Sequence, residues 1–260
     1  MTRQQAFELL EYYADLYNQS SFIENDPISV PHRFTHLPDI EIAAFIAAIL
    51  SWGNRKAIIK SANRFVQYMD NDPYNFVRHC SDADLKPFLQ FKHRTFTPTD
   101  ALYFLSFLKH HYTQHTSLQT AFSQHLNPAD EHVGNALIGF HQLFFSLPHA
   151  PQRTKKHIAT PLRNAACKRL NMFLRWMVRQ DNKGVDFGLW HDISPMQLLC
   201  PLDVHVERIA RKLNLLHRKQ PDWKATLELT QNLKQFDSID PVKYDFALFG
   251  LGVLQKNEIW

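Results

Sequence analysis

Two charged residues in this chain stand where their surroundings could change what they do. Asp203 opens the run Asp203-Val204-His205-Val206-Glu207-Arg208-Ile209-Ala210-Arg211-Lys212-Leu213. There Val206, Ile209, Ala210 and Leu213 recur at i, i+3, i+4 and i+7 and make one apolar stripe of a helix. Pro201 ends whatever precedes, so Asp203 falls at the helix start. Its carboxylate there meets free amides and the positive end of the dipole, and both favour the ionised form. Such an aspartate is either an ordinary N-cap or a carboxylate aimed at a cleft. Lys168 lies in a second helix, expected over Leu162 to Arg179, with Ala166, Leu170, Phe173, Leu174 and Met177 as its buried stripe. On another face Lys168, Met172, Arg175 and Arg179 follow one another at i, i+4, i+7 and i+11. The positive potential of the two arginines favours a neutral amine, which Schiff-base chemistry needs. The alternative is a solvated or phosphate-binding cationic stripe.

The rest of the chain supplies the frame. Ala6, Leu9, Leu10, Tyr13 and Leu16 mark a first amphipathic helix, and the proline-rich stretch Ile23 to Pro38 reads as an extended connector. Asp39 is expected to cap an apolar core helix, Ile40 to Trp52, with Gly53 ending it in the left-handed conformation. Asn54 then caps a helix over Arg55 to Met69, whose Arg55, Lys56, Lys60 and Arg64 form a cationic side, either solvated or on phosphates. Short helices and turns follow to Pro98, and Thr99 is expected to cap a helix from Asp100 to about His111. Further helices cover roughly Leu118 to His125 and Glu131 to Leu147, and Pro148 to Pro161 is a basic connector. Ser194-Pro195-Met196-Gln197 has the form of a capping box with proline at the first helical position. Helices over Trp223 to Phe236 and Val242 to Val253 close the chain.

Strand signals are nearly absent, and with 7 glycines, 20 phenylalanines and long periodic runs the 260 residues read as all-α. The expected arrangement is one domain in two helical lobes, about 40–150 and 151–260, with residues 1–39 packing on either. A net charge of +4 and a pI near 8.9 give mild support to a polyanionic partner. Cys80, Cys167 and Cys200 form no C-x-x-C pair, which argues against a zinc site or disulfide framework and for a reducing cytoplasm. His111 and His115 are one turn apart, a metal-site spacing, but no third ligand belongs to the pattern, so no metal is expected. Neither a leader segment nor a membrane span is expected.

The Asp203 run resembles the V-D-T-H-V-x-R-V-A-x-R-L segment of the helix-hairpin-helix (HhH-GPD) DNA glycosylases, the superfamily of endonuclease III and the archaeal 8-oxoguanine glycosylases. Val204 stands where Thr is usual and Lys212 where Arg is usual. In lyase-type members a lysine precedes the aspartate and opens a segment like K-T-x-x-F-A-x-K-M. Lys168 followed by Arg175 is similar to that basic pair. Leu50 and Ser51 match an L-L-S-x-Q segment that leads to a loop facing the DNA minor groove, although its glutamine is missing. The whole chain is also similar to a family of uncharacterised bacterial proteins with segments like C-K-R-L-N-M-F-L-R-W-M-V-R, V-D-x-G-L-W and P-L-D-x-H.

The resemblance implies a two-lobed helical fold without an iron–sulfur cluster, since no four-cysteine loop follows the last helix. It implies a base-excision glycosylase with AP-lyase activity that needs no cofactor and binds duplex DNA, with RNA left open. Lys168 would be the nucleophile and Asp203 the catalytic acid. Arg175, Arg179, Arg208 and Lys56 are the candidates for phosphates. The glycine-containing L-P-G-V-G hairpin that usually precedes the lysine is replaced by Ile158 to Ala166 without a glycine, and Arg163 or nearby helix-opening amides could take over its phosphate. Trp176 and Trp190 are the candidates to stack on a flipped base, with core packing the other role open to them. A catalytically silent nucleic-acid-binding module and a helical protein-interaction scaffold are the alternatives.

Overall fold

The computed structural model describes residues 2–254 of the chain. The α-helices are α1 (Arg3–Tyr17), α2 (Ser21–Glu24), α3 (Leu37–Leu50), α4 (Arg55–Gln67), α5 (Pro73–His79) and α6 (Pro98–Gln114). They continue as α7 (Thr120–Ser123), α8 (Gly134–Phe144), α9 (Lys168–Val178), α10 (Val204–Lys212), α11 (Trp223–Lys234) and α12 (Tyr244–Leu254). Short 3-10 turns link them, and the described residues contain no β-strand, only two isolated bridges. The chain is all-α, and no helix among the described residues is long and apolar enough to cross a membrane.

Two compact units emerge, and neither is continuous in sequence. One takes Ile23–Leu126 and Asn135–Ala159. Its centre is α3, buried on every face from Pro38 to Leu50, so its one long carboxylate needs internal partners. Glu41 accepts hydrogen bonds from the Tyr112 hydroxyl at 2.7 Å and the Leu118 amide at 2.8 Å. Phe45 stacks against Phe104, and both rings meet Phe144. The expected extended connector, Ile23 to Pro38, is instead wound into two 3-10 turns, Pro27–Ser29 and Pro31–Arg33, because Ile28 and Val30 drive it into the core. Asp39 caps nothing in α3. Its helix starts two residues earlier, and its carboxylate takes the Tyr74 amide at 2.7 Å. Helix α6 likewise starts at Pro98, with Thr97 and Asp100 forming the capping box. Asp100 is also met by Arg153, Thr154 and His157. Burial pushes its carboxyl up, but hydrogen bonds from His157, Thr154 and Thr97 outweigh burial and hold it well below the usual carboxylate range.

The other unit takes Met1–Phe22, Asn127–Gly134 and Thr160–Trp260. Its core joins Leu10 and Ala14 of α1, Val206, Ile209 and Ala210 of α10, Leu229 of α11, and Ala247, Leu248 and Leu251 of α12. Helix α12 lies against both α1 and α10. Two glycines allow that approach. A Cβ at Gly250 would sit 2.1 Å from Tyr17 Cδ2, and one at Gly252 would sit 2.8 Å from His205 Cβ and 2.9 Å from the His205 carbonyl oxygen. Backbone cannot yield as a side-chain tip can, so Gly252→Ala must push α12 off the first turn of α10. We expect a loss of about 1–3 kcal/mol, as for overpacking elsewhere, read as a lowered urea midpoint with an unchanged slope.

Candidate functional site

Helix α10 forms where its apolar stripe requires, and Asp203 is its N-cap: one carboxylate oxygen accepts the amides of His205 at 2.8 Å and Val206 at 2.9 Å. The other oxygen is turned to Lys168. The Lys168 Nζ to Asp203 Oδ2 distance is 3.4 Å, longer than a well-formed hydrogen bond but an ion-pair contact. The lysine side chain keeps 30% of its exposure and the aspartate 13%, so solvent reaches the pair. Of the two roles open to Asp203, the structure gives it the cap and leaves an oxygen for a second.

Lys168 is the first residue of α9, not a mid-helix residue. The expected helix from Leu162 is broken: Pro161–Arg163 forms a 3-10 turn, and Asn164 (φ 53°) and Cys167 (φ 52°) are both left-handed. Those are backbone conformations that glycine adopts most readily. The turn therefore has two positions of the kind glycines serve, without having the glycines. It is held from outside, with the Asn164 side-chain amide donating to Asp222 at 2.8 Å and the Trp223 amide donating to the Asn164 carbonyl at 3.1 Å. Leu162 and Arg163 are left exposed at its tip.

Beyond Lys168 the expected cationic stripe goes inward. Arg175 and Arg179 retain 4% and 3% exposure. Both were expected on phosphates, and the structure corrects this. Arg175 reaches Asp186 at 3.2 Å and Asp245 at closer range, while Arg179 reaches Asp181 at 2.7 Å, Asp186 at 3.2 Å and Asp240 at 2.9 Å. Both guanidiniums also lie over the Phe246 ring, at 4.4 and 5.4 Å from its centroid. The segment after α9 makes this possible. It folds back so that the Phe187 and Trp190 amides donate to the Trp176 and Met177 carbonyls at 2.7 and 2.9 Å, covering the arginines. Both tryptophans are buried: Trp176 is 0% and Trp190, on the folded-back segment, 1% exposed, with Trp190 edge-on to Phe173 at 5.2 Å. As placed, neither can stack on an incoming base, and packing is their role. Of the other candidates for phosphates, Arg163 and Arg208 are exposed in this unit, Arg208 donating to the Gly252 carbonyl, and Lys56 is exposed on α4.

One group at this site was missed by the sequence reading. Asp245, on α12, is buried with 5% exposure, and the Cys200 thiol lies 3.9 Å from its Oδ1. Burial, with a smaller push from the Asp203 charge, outweighs the pull of Arg175 and raises its carboxyl to about 6. Burial likewise raises the Cys200 thiol well above its ordinary value, next to Asp245. The signal was there to read: Asp245 stands alone among Tyr244, Phe246, Ala247, Leu248 and Phe249. An acid with no polar face around it must find a buried partner. Chemically the site offers one accessible amine and one carboxylate held in place by backbone amides, while the same unit holds a buried carboxylate fixed by Arg175. No curated protein and no solved structure matches the chain. Residues 26–254 match the family described as a protein of unknown function (DUF2400), and the chain belongs to that family.

Proposed function

We propose that this protein is a base-excision DNA glycosylase with lyase activity, acting through Lys168 and Asp203. The observation that supports the reading is their 3.4 Å approach in one solvent-reached site, with Asp203 fixed by two amides. Their sequence contexts resemble the lysine and aspartate segments of the helix-hairpin-helix glycosylases. In the reaction the base leaves as positive charge grows on the sugar, and the Asp203 carboxylate stabilises that charge. With its proton passed to water, the neutral Lys168 nitrogen bonds to C1′ as the C1′–N bond to the base breaks, and the base leaves with that electron pair and takes a proton from water. The new C1′ ammonium gives a proton to water, the C1′–O4′ bond breaks with O4′ taking up a proton, and an imine between C1′ and Lys168 is left. The exposed Arg163 and Arg208 would take phosphates on this unit.

Borohydride trapping on a panel of duplexes, each with one damaged base or abasic site, tests this. The expected result is a covalent protein–DNA adduct dependent on borohydride. A protein that never crosslinks, while a known lyase does so on the same duplexes, overturns the lyase reading.

The second reading is a nucleic-acid-binding module in which Lys168 and Asp203 form an ordinary ion pair. It draws on the N-cap role of Asp203, whose Oδ1 is already taken by the His205 and Val206 amides, and on the exposed Arg163 and Arg208 of the same unit. That module would bind DNA with a strong salt dependence and would lose nothing on removal of the Asp203 charge.

A further inference from the structure

Helix α9 begins against the usual rules. Its N-cap, Cys167, is left-handed and gives the helix no side-chain hydrogen bond, and no acidic residue stands in the first turn. Two cations, Lys168 and Arg169, come first instead, at the positive end of the dipole. A start so disfavoured locally has to be held by other contacts. The far side of the turn is held by the links of Asn164 to Asp222 and Trp223, and Thr226 Oγ1 reaches the Ala166 carbonyl at 3.4 Å. From α9 itself the hold is Asn171. Its side-chain Nδ2 donates to the Ala166 carbonyl at 3.1 Å, and its backbone amide donates to the Cys167 carbonyl at 2.9 Å. One residue thus fixes the peptide planes on both sides of the Cys167 Cα, and those two planes define its φ and ψ.

Resting on the function proposed above, we infer that Asn171 is a positioning residue for Lys168: it holds the left-handed Cys167 turn that sets the Lys168 amine beside Asp203. Packing does not account for an asparagine there. Asn171 is 1% exposed, and among the described residues its Oδ1 has no hydrogen-bond partner, a cost that a leucine of similar size would not carry. What the amide adds is the Nδ2 donor.

The turn matters to Lys168 because a helical side chain leans toward the N-terminus and covers the turn before its own Cα. Were α9 to run back through Ala166 to Leu162, as the apolar period suggests, another turn of helix would lie beneath the lysine and carry it elsewhere. With the break at Cys167, Lys168 is the first residue of the helix, and its Nζ comes to 3.4 Å from the carboxylate that caps α10.

The full chain labelled with 15N-cysteine carries three labelled amides, those of Cys80, Cys167 and Cys200. In wild-type protein the HN–Hα cross-peak within Cys167 should be strong, because a positive φ brings these hydrogens together, and in Asn171→Leu it should weaken. A weak cross-peak in wild-type protein overturns the inference, and this arm needs no variant to fold. A strong one in Asn171→Leu overturns it as well; Asn171→Ser, one atom too short for the Ala166 carbonyl, gives the same reading if the leucine variant does not fold. In the borohydride assay Asn171→Leu should trap about 10²-fold more slowly at saturating DNA, with the half-saturating DNA concentration unchanged. Adding Cys167→Gly, which adopts positive φ freely, should return about tenfold of that loss. A folded Asn171→Leu protein that traps at the wild-type rate, or whose loss the glycine does not relieve, overturns the inference. If the cross-peak weakens in Asn171→Leu and no duplex is ever trapped even by wild-type protein, Asn171 still sets the turn that places Lys168, and the lyase reading alone falls.

Discussion

Asp203→Asn should lower glycosylase turnover by about 10²–10³-fold, the scale seen when one preorganised group is removed from a developing charge. The substitution separates the two functions of the side chain. Asparagine caps helices about as well as aspartate, so its amide oxygen can still accept the His205 and Val206 amides and α10 should keep its start. Only the charge facing Lys168 is lost. DNA affinity and the urea midpoint should therefore stay close to wild type while single-turnover base release collapses. Asp203→Ala is the informative contrast, because it removes the cap as well and should add about 1 kcal/mol of destabilisation. If Asp203→Asn releases base at the wild-type rate, the carboxylate is a cap and nothing more, and the binding-module reading takes over.

That separation shows what the sequence could and could not reveal. The cap was legible because it is local: a proline, an aspartate and an apolar period of 3.6 fix where α10 begins. The same holds for the Asn54 cap of α4 and the Ser194 to Gln197 capping box, both present as expected. The start of α9 was not legible. Periodicity extends through Ala166 and Leu162, but nothing in a stripe of apolar residues signals that Asn164 and Cys167 adopt positive φ, a choice set by the contacts of Asn164 with Asp222 and Trp223 far along the chain. The orientation of the arginine stripe was hidden for the same reason. A helical period gives a face, not what covers it, and here the cover is the segment from Val185 to Trp190 folding back on α9. Nor does any local pattern tell that residues 1–22 and 127–134 join the unit of 160–260. Burial took both candidate stacking platforms, Trp176 and Trp190, into the core, with Trp190 packed on Phe173 of α9 as the segment folds back.

Arg175→Ala should cost about 3–5 kcal/mol of stability, the penalty for leaving buried charge without its partner. The residue is 4% exposed and supplies a guanidinium to both Asp186 and Asp245 while lying on the Phe246 ring, so its loss leaves carboxylates in low dielectric with no cation in place of Arg175. At about 2–4 °C per kcal/mol for a protein this long, the melting temperature should fall by roughly 10 °C. The pH dependence has a definite sign. Asp245 has a folded value raised to about 6 from an ordinary 3.8, so its own contribution to stability is greatest below pH 4 and is lost as pH rises through 6. Removing Arg175 takes away the charge that pulled that value down, which enlarges the loss, so the variant should be least stable relative to wild type above pH 6 and recover part of the difference toward pH 5. Urea midpoints of both proteins across pH 4.5–8 measure this. A phosphate-binding Arg175 would behave in the opposite way, with stability unchanged at every pH and DNA affinity lowered together with its salt slope. That pattern would mean the arginine faces solvent, and the buried network from Asp245 to Asp240 would have to be given up.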